Sequence, residues 1–259
     1  MQSKILSCHL GPEISPEHFI SEHFFMYLIE GSITAYDGKD TYTVHPGEIT
    51  IARKNHFVRY TKHSVNNVFR KVIIAFDKPF LEYFLERHPV ESIASENTGA
   101  FITLPDTPRI SNYIQSLEPY YTGDLEIEAG FEDIKREELM LILLKAEPWL
   151  ANVFFNFAMP QKIDLEAFMH RNFRFNVSLD RFAFMTGRSL SSFKRDFLKV
   201  FGTTPGKWLT AKRLEEAHFL IKNTGARPGE VYNDLGFEDF SHFSFAFRKH
   251  FGVTPTEVI

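Results

Sequence analysis

The sequence predicts an α+β chain of two domains: a β-rich N-terminal half with flanking helices, and an all-α C-terminal half of two helix-turn-helix subdomains joined by a long helix. Three observations carry this prediction. Short turn-punctuated strands crowd the first third, one fifteen-residue stretch occurs twice near the end, and charge divides unequally between the halves. At 259 residues with 44% apolar side chains, the chain is long enough for one or two packed cores.

Phe24 to Phe76 contains FFMYLIEG, SITAYDGKDTYTVHPGEITIA and VFRKVIIAF, dense in β-branched and aromatic residues and broken by Gly31, Asp37-Gly38 and Pro46-Gly47. Asp37-Gly38 suits a two-residue hairpin turn. Several short strands with frequent turns imply a sandwich or small barrel. Strand alternation places Tyr27, Tyr36, His45 and Phe57 either in a ligand pocket or in the core.

Beyond the strands the pattern becomes helical. Lys78–Arg87 reads as a short amphipathic helix, Pro89–Pro108 as irregular, Arg109–Tyr121 as a second helix and Glu126–Glu147 as the longest. That last segment is charged at first and apolar on nearly every side from Leu139 to Leu144, so burial is expected, either as cover for the strands or as a dimer seam. Trp149–Ala158 is again apolar. The boundary falls at Met159-Pro160, where apolar periodicity stops and then restarts at Ile163, giving domains 1–159 and 160–259.

In the second domain Ile163, Leu165, Phe168 and Met169 form a first helix, and Ser178 caps the next. Ser191–Pro205 reads SSFKRDFLKVFGTTP and Ser241–Pro255 reads SHFSFAFRKHFGVTP, with eight identities in fifteen positions. Phenylalanines at i, i+4 and i+8 keep one helical face apolar, and Gly-x-Thr-Pro ends the helix at once. Each copy follows a short apolar segment and a glycine, Gly187 or Gly236, which is the helix-turn-helix pattern.

The stretch GFEDFSHFSFAFRKHFGVTP resembles the C-terminal signature of the AraC/XylS transcription regulators. The resemblance covers roughly Ile163–Ile259 and includes Arg213-Leu214-Glu215-Glu216-Ala217, similar to the start of the helix that links that family's two DNA-binding subdomains. It implies double-stranded DNA as partner, with RNA polymerase as a further contact. The strand spacing around GSI and HPGEITIA resembles the cupin-like sensor domain found ahead of such modules, which implies a small-molecule effector and a homodimer. Some positions depart from the family pattern: Phe245 stands where many members carry Arg, His242 where an aromatic is usual, and Tyr232 where a small residue is usual.

Charge agrees with a DNA partner for the second half. Residues 1–159 hold 14 Lys+Arg and 22 Asp+Glu, a balance of −8, whereas residues 160–259 hold 15 and 11, a balance of +4. With Phe193, Phe197, Val200 and Phe201 assigned to the core, the first copy turns Ser192, Arg195, Asp196 and Lys199 outward, with Ser191 and Lys194 at the edges. Arg195 is the candidate base reader and Lys199 a phosphate contact. In the second copy Ser241, His242 and Ser244 are hydrogen-bonding candidates, Phe245 suits a thymine methyl, and Arg248 and Lys249 suit phosphates.

Other chemistries find little support. His23, His45, His56 and His63 are scattered singly, without the His-x-His pair of metal-dependent cupins. No Gly-x-Ser-x-Gly or phosphate-binding glycine loop occurs, and Cys8, the one cysteine, is expected in a loose N-terminal segment. No catalytic residue, metal or cofactor is expected. With no signal-peptide pattern and no run of eighteen apolar residues, a cytoplasmic protein without a membrane partner is expected. The function expected is a sequence-specific DNA-binding transcription regulator that responds to a signal sensed by its N-terminal domain. The alternatives are a metal-dependent cupin enzyme with a helical tail, and a regulator controlled by a protein partner instead of a small ligand.

Overall fold

The computed structural model describes residues 4–10, 18–66, 68–90, 99–122, 126–127 and 130–258. The chain forms two compact units, Met1–Ala158 and Met159–Ile259, and is α+β.

The first unit contains strands β1 (Lys4–Leu10), β2 (Phe19–Ile20), β3 (His23–Glu30), β4 (Ser32–Tyr36), β5 (Thr41–Val44), β6 (Ile49–Ala52), β7 (His56–Phe57), β8 (Arg59–His63), β9 (Val68–Phe76) and β10 (Phe101–Leu104). A five-stranded sheet runs β1-β9-β3-β6-β10 and a three-stranded sheet β5-β4-β8, while β2 pairs with β7. Only the β1·β9 pairing within the large sheet is parallel.

Alternation along the large sheet divides its side chains between two cores. Phe24, Met26 and Leu28 of β3, with Ile73 and Ala75 of β9, join Ile33, Ala35 and Val44 of the small sheet. Phe25, Val72, Ile74 and Phe76 point the other way, into helices α1 (Lys78–Arg87), α2 (Pro108–Ser116), α3 (Glu132–Ala146) and α4 (Ala151–Phe154). Each such side chain contributes about 1.5–3 kcal/mol on burial. Because both faces are covered, the central strands read as nearly continuous apolar runs.

Several expectations are corrected. A cupin-like barrel or sandwich is expected; among the described residues the strands stay in separate sheets and do not close into a barrel. The Asp37-Gly38 turn is a four-residue loop, since Tyr36 pairs with Thr41 and the Asp37 carboxylate accepts from the Lys39 and Asp40 amides. Pro89–Pro108 is not wholly irregular: Phe101–Leu104 adds an edge strand against β6. The helix expected through Tyr121 ends at Ser116, and the chain enters β11 (Tyr121–Thr122), which pairs with β12 (Glu126–Ile127). Cys8 lies in β1, opposite Val72, and not in a loose segment.

Helix α3 is neither the longest nor buried all round. Its 3.6-residue period puts Leu139, Met140 and Leu143 inside and leaves Leu141 43% exposed. Its charged start is partly interior. Buried Lys135 donates to Ser116 Oγ (3.0 Å) and Glu138 (2.9 Å). Buried Arg136 donates to the Ala75 carbonyl, pairs with Asp77 and Asp133, and lies 4.2 Å above the Phe80 ring. Each buried cation is matched by acceptors, as burial requires.

The second unit holds helices α5 (Leu165–Asn172), α6 (Leu179–Met185), α7 (Leu190–Phe201), α8 (Pro205–Thr224), α9 (Pro228–Asp234) and α10 (Phe240–Phe251). Twenty-residue α8 is the longest described helix. Asp164 caps α5 by accepting from the Ala167 amide, whereas Ser178 occupies the cap position of α6 without a side-chain cap bond. Pro205 at the start of α8 and Gly225 (φ 68°) just past its end are residues favoured at a helix start and a helix stop.

Candidate nucleic-acid interface

The duplicated stretches become α7 and α10, each set by local chemistry at both ends. Ser189 Oγ accepts from the Ser192 amide (3.3 Å) and Asp239 Oδ1 from the His242 amide (2.8 Å), satisfying donors that a helix start leaves free. Gly202 (φ 67°) and Gly252 (φ 81°) end the helices in the left-handed region.

Between these ends each helix buries a stack of rings. In α7, Phe193, Phe197 and Phe201 follow one another at centroid distances of 5.6 and 4.3 Å, and Trp208 of α8 closes the stack 4.7 Å from Phe201. In α10, Phe243, Phe247 and Phe251 stand at 5.7 and 4.7 Å, closed by His218 of α8 at 4.8 Å. Val200, expected in the core, is 47% exposed, because its position lies on the flank of the stack.

Burying the rings turns the opposite faces outward. On α7, Ser191, Lys194, Arg195 and Lys199 are exposed and Ser192 partly so; on α10, Ser241, His242, Phe245, Arg248 and Lys249 are exposed and Ser244 partly so. Phe245 is 69% exposed, a large apolar ring in water on a face otherwise polar.

The preceding turns need glycine for space as well as for conformation. Gly187 has φ 65°, and a Cβ there would come 2.4 Å from the Gln161 backbone. Gly236 has φ 79°, and a Cβ there would meet the Arg174 carbonyl oxygen at 2.7 Å.

Charge is arranged differently in the two copies. Asp196 lies beside the exposed face of α7, where a carboxylate repels phosphate, but it is surrounded by Arg188 Nε (3.2 Å), Lys162 Nζ (3.4 Å) and Arg195 Nε (3.7 Å). The Arg188 hydrogen bond, helped by Lys162, holds its carboxyl below the usual carboxylate range. Arg195 also reaches Ser192 Oγ at 3.4 Å. In α10 the basic residues gather in the last turn, as Arg248 and Lys249 with His250 beside them.

Periodicity did not reveal Lys162, Arg188 or Arg213, because each acts across segments distant in sequence. Arg188 also donates to the Ile163 carbonyl, and Arg213 donates to three carbonyls.

The four pocket candidates of the first unit are not brought together. Tyr27 packs on the helix-facing core, Tyr36 lies under the Arg59 guanidinium (5.9 Å), His45 is exposed in a turn where its amide donates to Glu48, and Phe57 is buried edge-on to Phe19. A cleft of about 390 Å³ lies elsewhere, lined by Leu85, Val90, Ala151, Asn152, Phe155 and Asn156. His23, 2% exposed, sits edge-on to Phe154, and burial, reinforced by Lys54 and Arg53, pushes its pKa well below 6.5. Among the described residues no three His, Cys, Asp or Glu side chains converge as metal ligands, and no helix is long and apolar enough to cross a membrane.

Comparison with known proteins gives two domain matches. Residues 23–151 match the model of the ExsA N-terminal regulatory domain, and residues 182–259 match a helix-turn-helix domain. The chain is 25% identical to the HTH-type transcriptional regulator ExsA of Pseudomonas aeruginosa, covering 98% of this chain and 92% of that one. It is 24% identical to the virulence regulon transcriptional activator VirF of Yersinia enterocolitica, covering 89% and 86%. Among solved structures, apo ToxT of Vibrio cholerae matches with 13% identity over 93% of this chain and 89% of that one, at a TM-score of 0.44.

Proposed function

We infer that this chain, which belongs to the AraC/XylS family of transcription regulators, binds duplex DNA through α7 and α10 and regulates transcription from that site. The observation that carries the site assignment is the pair of capped helices whose ring stacks are sealed and whose opposite faces, Ser191 to Lys199 and Ser241 to Lys249, stand open to solvent. In this reading the two helices enter successive major-groove segments roughly 34 Å apart along the duplex. Arg195 reads a guanine edge, Lys199 and Lys249 hold phosphates, and Phe245 meets a thymine methyl.

Residues 1–159 are assigned the sensing and dimerising role, and residues 160–259 the DNA-binding role, in a cytoplasmic regulator without catalytic function. For the dimer, Ile134 and Leu141 on the outward face of α3 are the exposed apolar candidates. A charge at Leu141 should weaken association in sedimentation, whereas a charge at fully buried Leu143 reports on folding. A small-molecule effector and RNA polymerase remain the expected further partners.

Selection of sequences from a random duplex pool by the intact protein tests the central reading. A bipartite site with halves one helical turn apart is the expected result. Failure to retain any duplex at low salt sinks it.

A further inference from the structure

Arg213 stands on α8, the helix joining the two helix-turn-helix subdomains, and its guanidinium binds both of them. Nε donates to the Phe173 carbonyl (2.7 Å) and Nη2 to the Phe175 carbonyl (2.8 Å), both just after α5. Nη1 donates to the Gly236 carbonyl (2.9 Å), in the turn that leads into α10. Phe173 is the C-cap of α5, and Gly236 follows the C-cap of α9. Carbonyls close to two helix C-termini, the negative ends of the helix dipoles, are therefore brought to one cation. Burial pushes the Arg213 pKa down to about 10, which leaves it charged at neutral pH.

The geometry around the guanidinium is tight. A Cβ at Gly236 would come 2.9 Å from Arg213 Cζ, so the turn needs its glycine in order for the arginine to reach the carbonyl. Neighbouring contacts repeat the connection: Asn176 donates to Glu238 Oε1 (2.7 Å), again tying the loop after α5 to the second turn, and Arg174 pairs with Glu216 of α8.

A helix alone is an incomplete ruler. Trp208 near the start of α8 serves the first ring stack, and Leu214, Ala217 and Ile221 serve the second, so torsion or bending of α8 would turn one recognition helix relative to the other. A rigid planar fork that bonds three carbonyls from two subdomains removes that freedom, and a lysine ammonium cannot reproduce the fork.

We propose that Arg213 is a positioning residue that fixes the separation and rotation of the two recognition helices, so that the protein measures the spacing between half-sites as well as reading them. This rests on the assignment of α7 and α10 to DNA. Two linked modules gain affinity from each other only when their geometry matches both sites. One added base pair turns the second half-site by roughly 34°.

The test uses the intact protein as wild type, Arg213→Lys and Glu238→Ala, on a selected site and on versions with one base pair inserted or removed between the halves. Wild type should lose roughly a hundredfold in affinity on an altered spacer, as bivalent binding becomes monovalent. Arg213→Lys should bind the native spacer about tenfold more weakly yet lose only about threefold more on the altered ones. Glu238→Ala, a surface change that leaves the fold intact, should flatten the spacing profile in the same direction by less, and it decides the matter alone if Arg213→Lys does not fold. The proposal is overturned if folded variants keep the wild-type ratio between native and altered spacers, or if wild type is indifferent to spacing. Absence of any selected site overturns the DNA-binding assignment itself, a different outcome from binding with an unchanged profile.

Discussion

In the first helix-turn-helix subdomain the stack of Phe193, Phe197 and Phe201 ends on Trp208; in the second, Phe243, Phe247 and Phe251 ends on His218 of the same helix. Most identities between the copies fall on the ring stack and the terminating Gly-x-Thr-Pro, where folding leaves little choice. The changes fall mainly on the open face: Lys194 becomes Ser244, Arg195 becomes Phe245 and Leu198 becomes Arg248. Two exposed identities remain, Ser191/Ser241 and Lys199/Lys249. One scaffold has thus been kept and two surfaces made from it. The first offers a forked donor in mid-helix, and the second an apolar ring with cations at its end.

The shared scaffold predicts equal damage from equivalent core truncations. Phe197→Ala and Phe247→Ala should each destabilise by about 3–5 kcal/mol in denaturant unfolding. A large inequality would show that the two stacks are not equivalent.

The surfaces should separate next. Arg195→Ala should cost about 1–3 kcal/mol of DNA affinity and relax preference at one or two base pairs, because a guanine edge loses its bidentate partner. Phe245→Ala should alter preference only where a thymine methyl is read. A library of single-base substitutions would locate both effects, and strongest preferences mapping under α10 would reverse the assignment.

The caps should behave alike despite their chemistry. Ser189→Ala and Asp239→Ala should each cost about 0.5–2 kcal/mol of stability, measured by thermal melting. The smallest effect is expected at Lys249→Ala, which should weaken all sequences alike and lower the slope of log affinity against log salt by about one unit. A sequence-dependent loss there would mean that α10 reads as well as anchors.

Both duplicated helices were legible in the sequence because their chemistry is local: phenylalanine at i, i+4 and i+8, and a glycine that takes positive φ at the end. Helix α1 was legible for the same reason. The sheet order was less so, since β1 and β10 pair with strands more than forty residues away. Helix α3 misled because apolar density does not show which side faces a partner; the tertiary fold turned Leu139 and Leu143 inward, left Leu141 outside and drew Lys135 and Arg136 into the interior.

By itself the sequence determined the two-part organisation, the duplicated helix-turn-helix, the polarity of charge and most of the solvent-facing side of each duplicated helix, all readable from neighbours within a few turns of chain. Only the tertiary structure decided how the strands divide among separate sheets, that Tyr27, Tyr36, His45 and Phe57 are not gathered into one pocket, that Asp196 is ion-paired with Lys162 and Arg188, and that Arg213 joins the two subdomains. These are contacts between residues remote in sequence, and a hydrogen bond or ion pair of that kind leaves no periodic trace; it exists only once the backbone has brought donor and acceptor within about 3 Å.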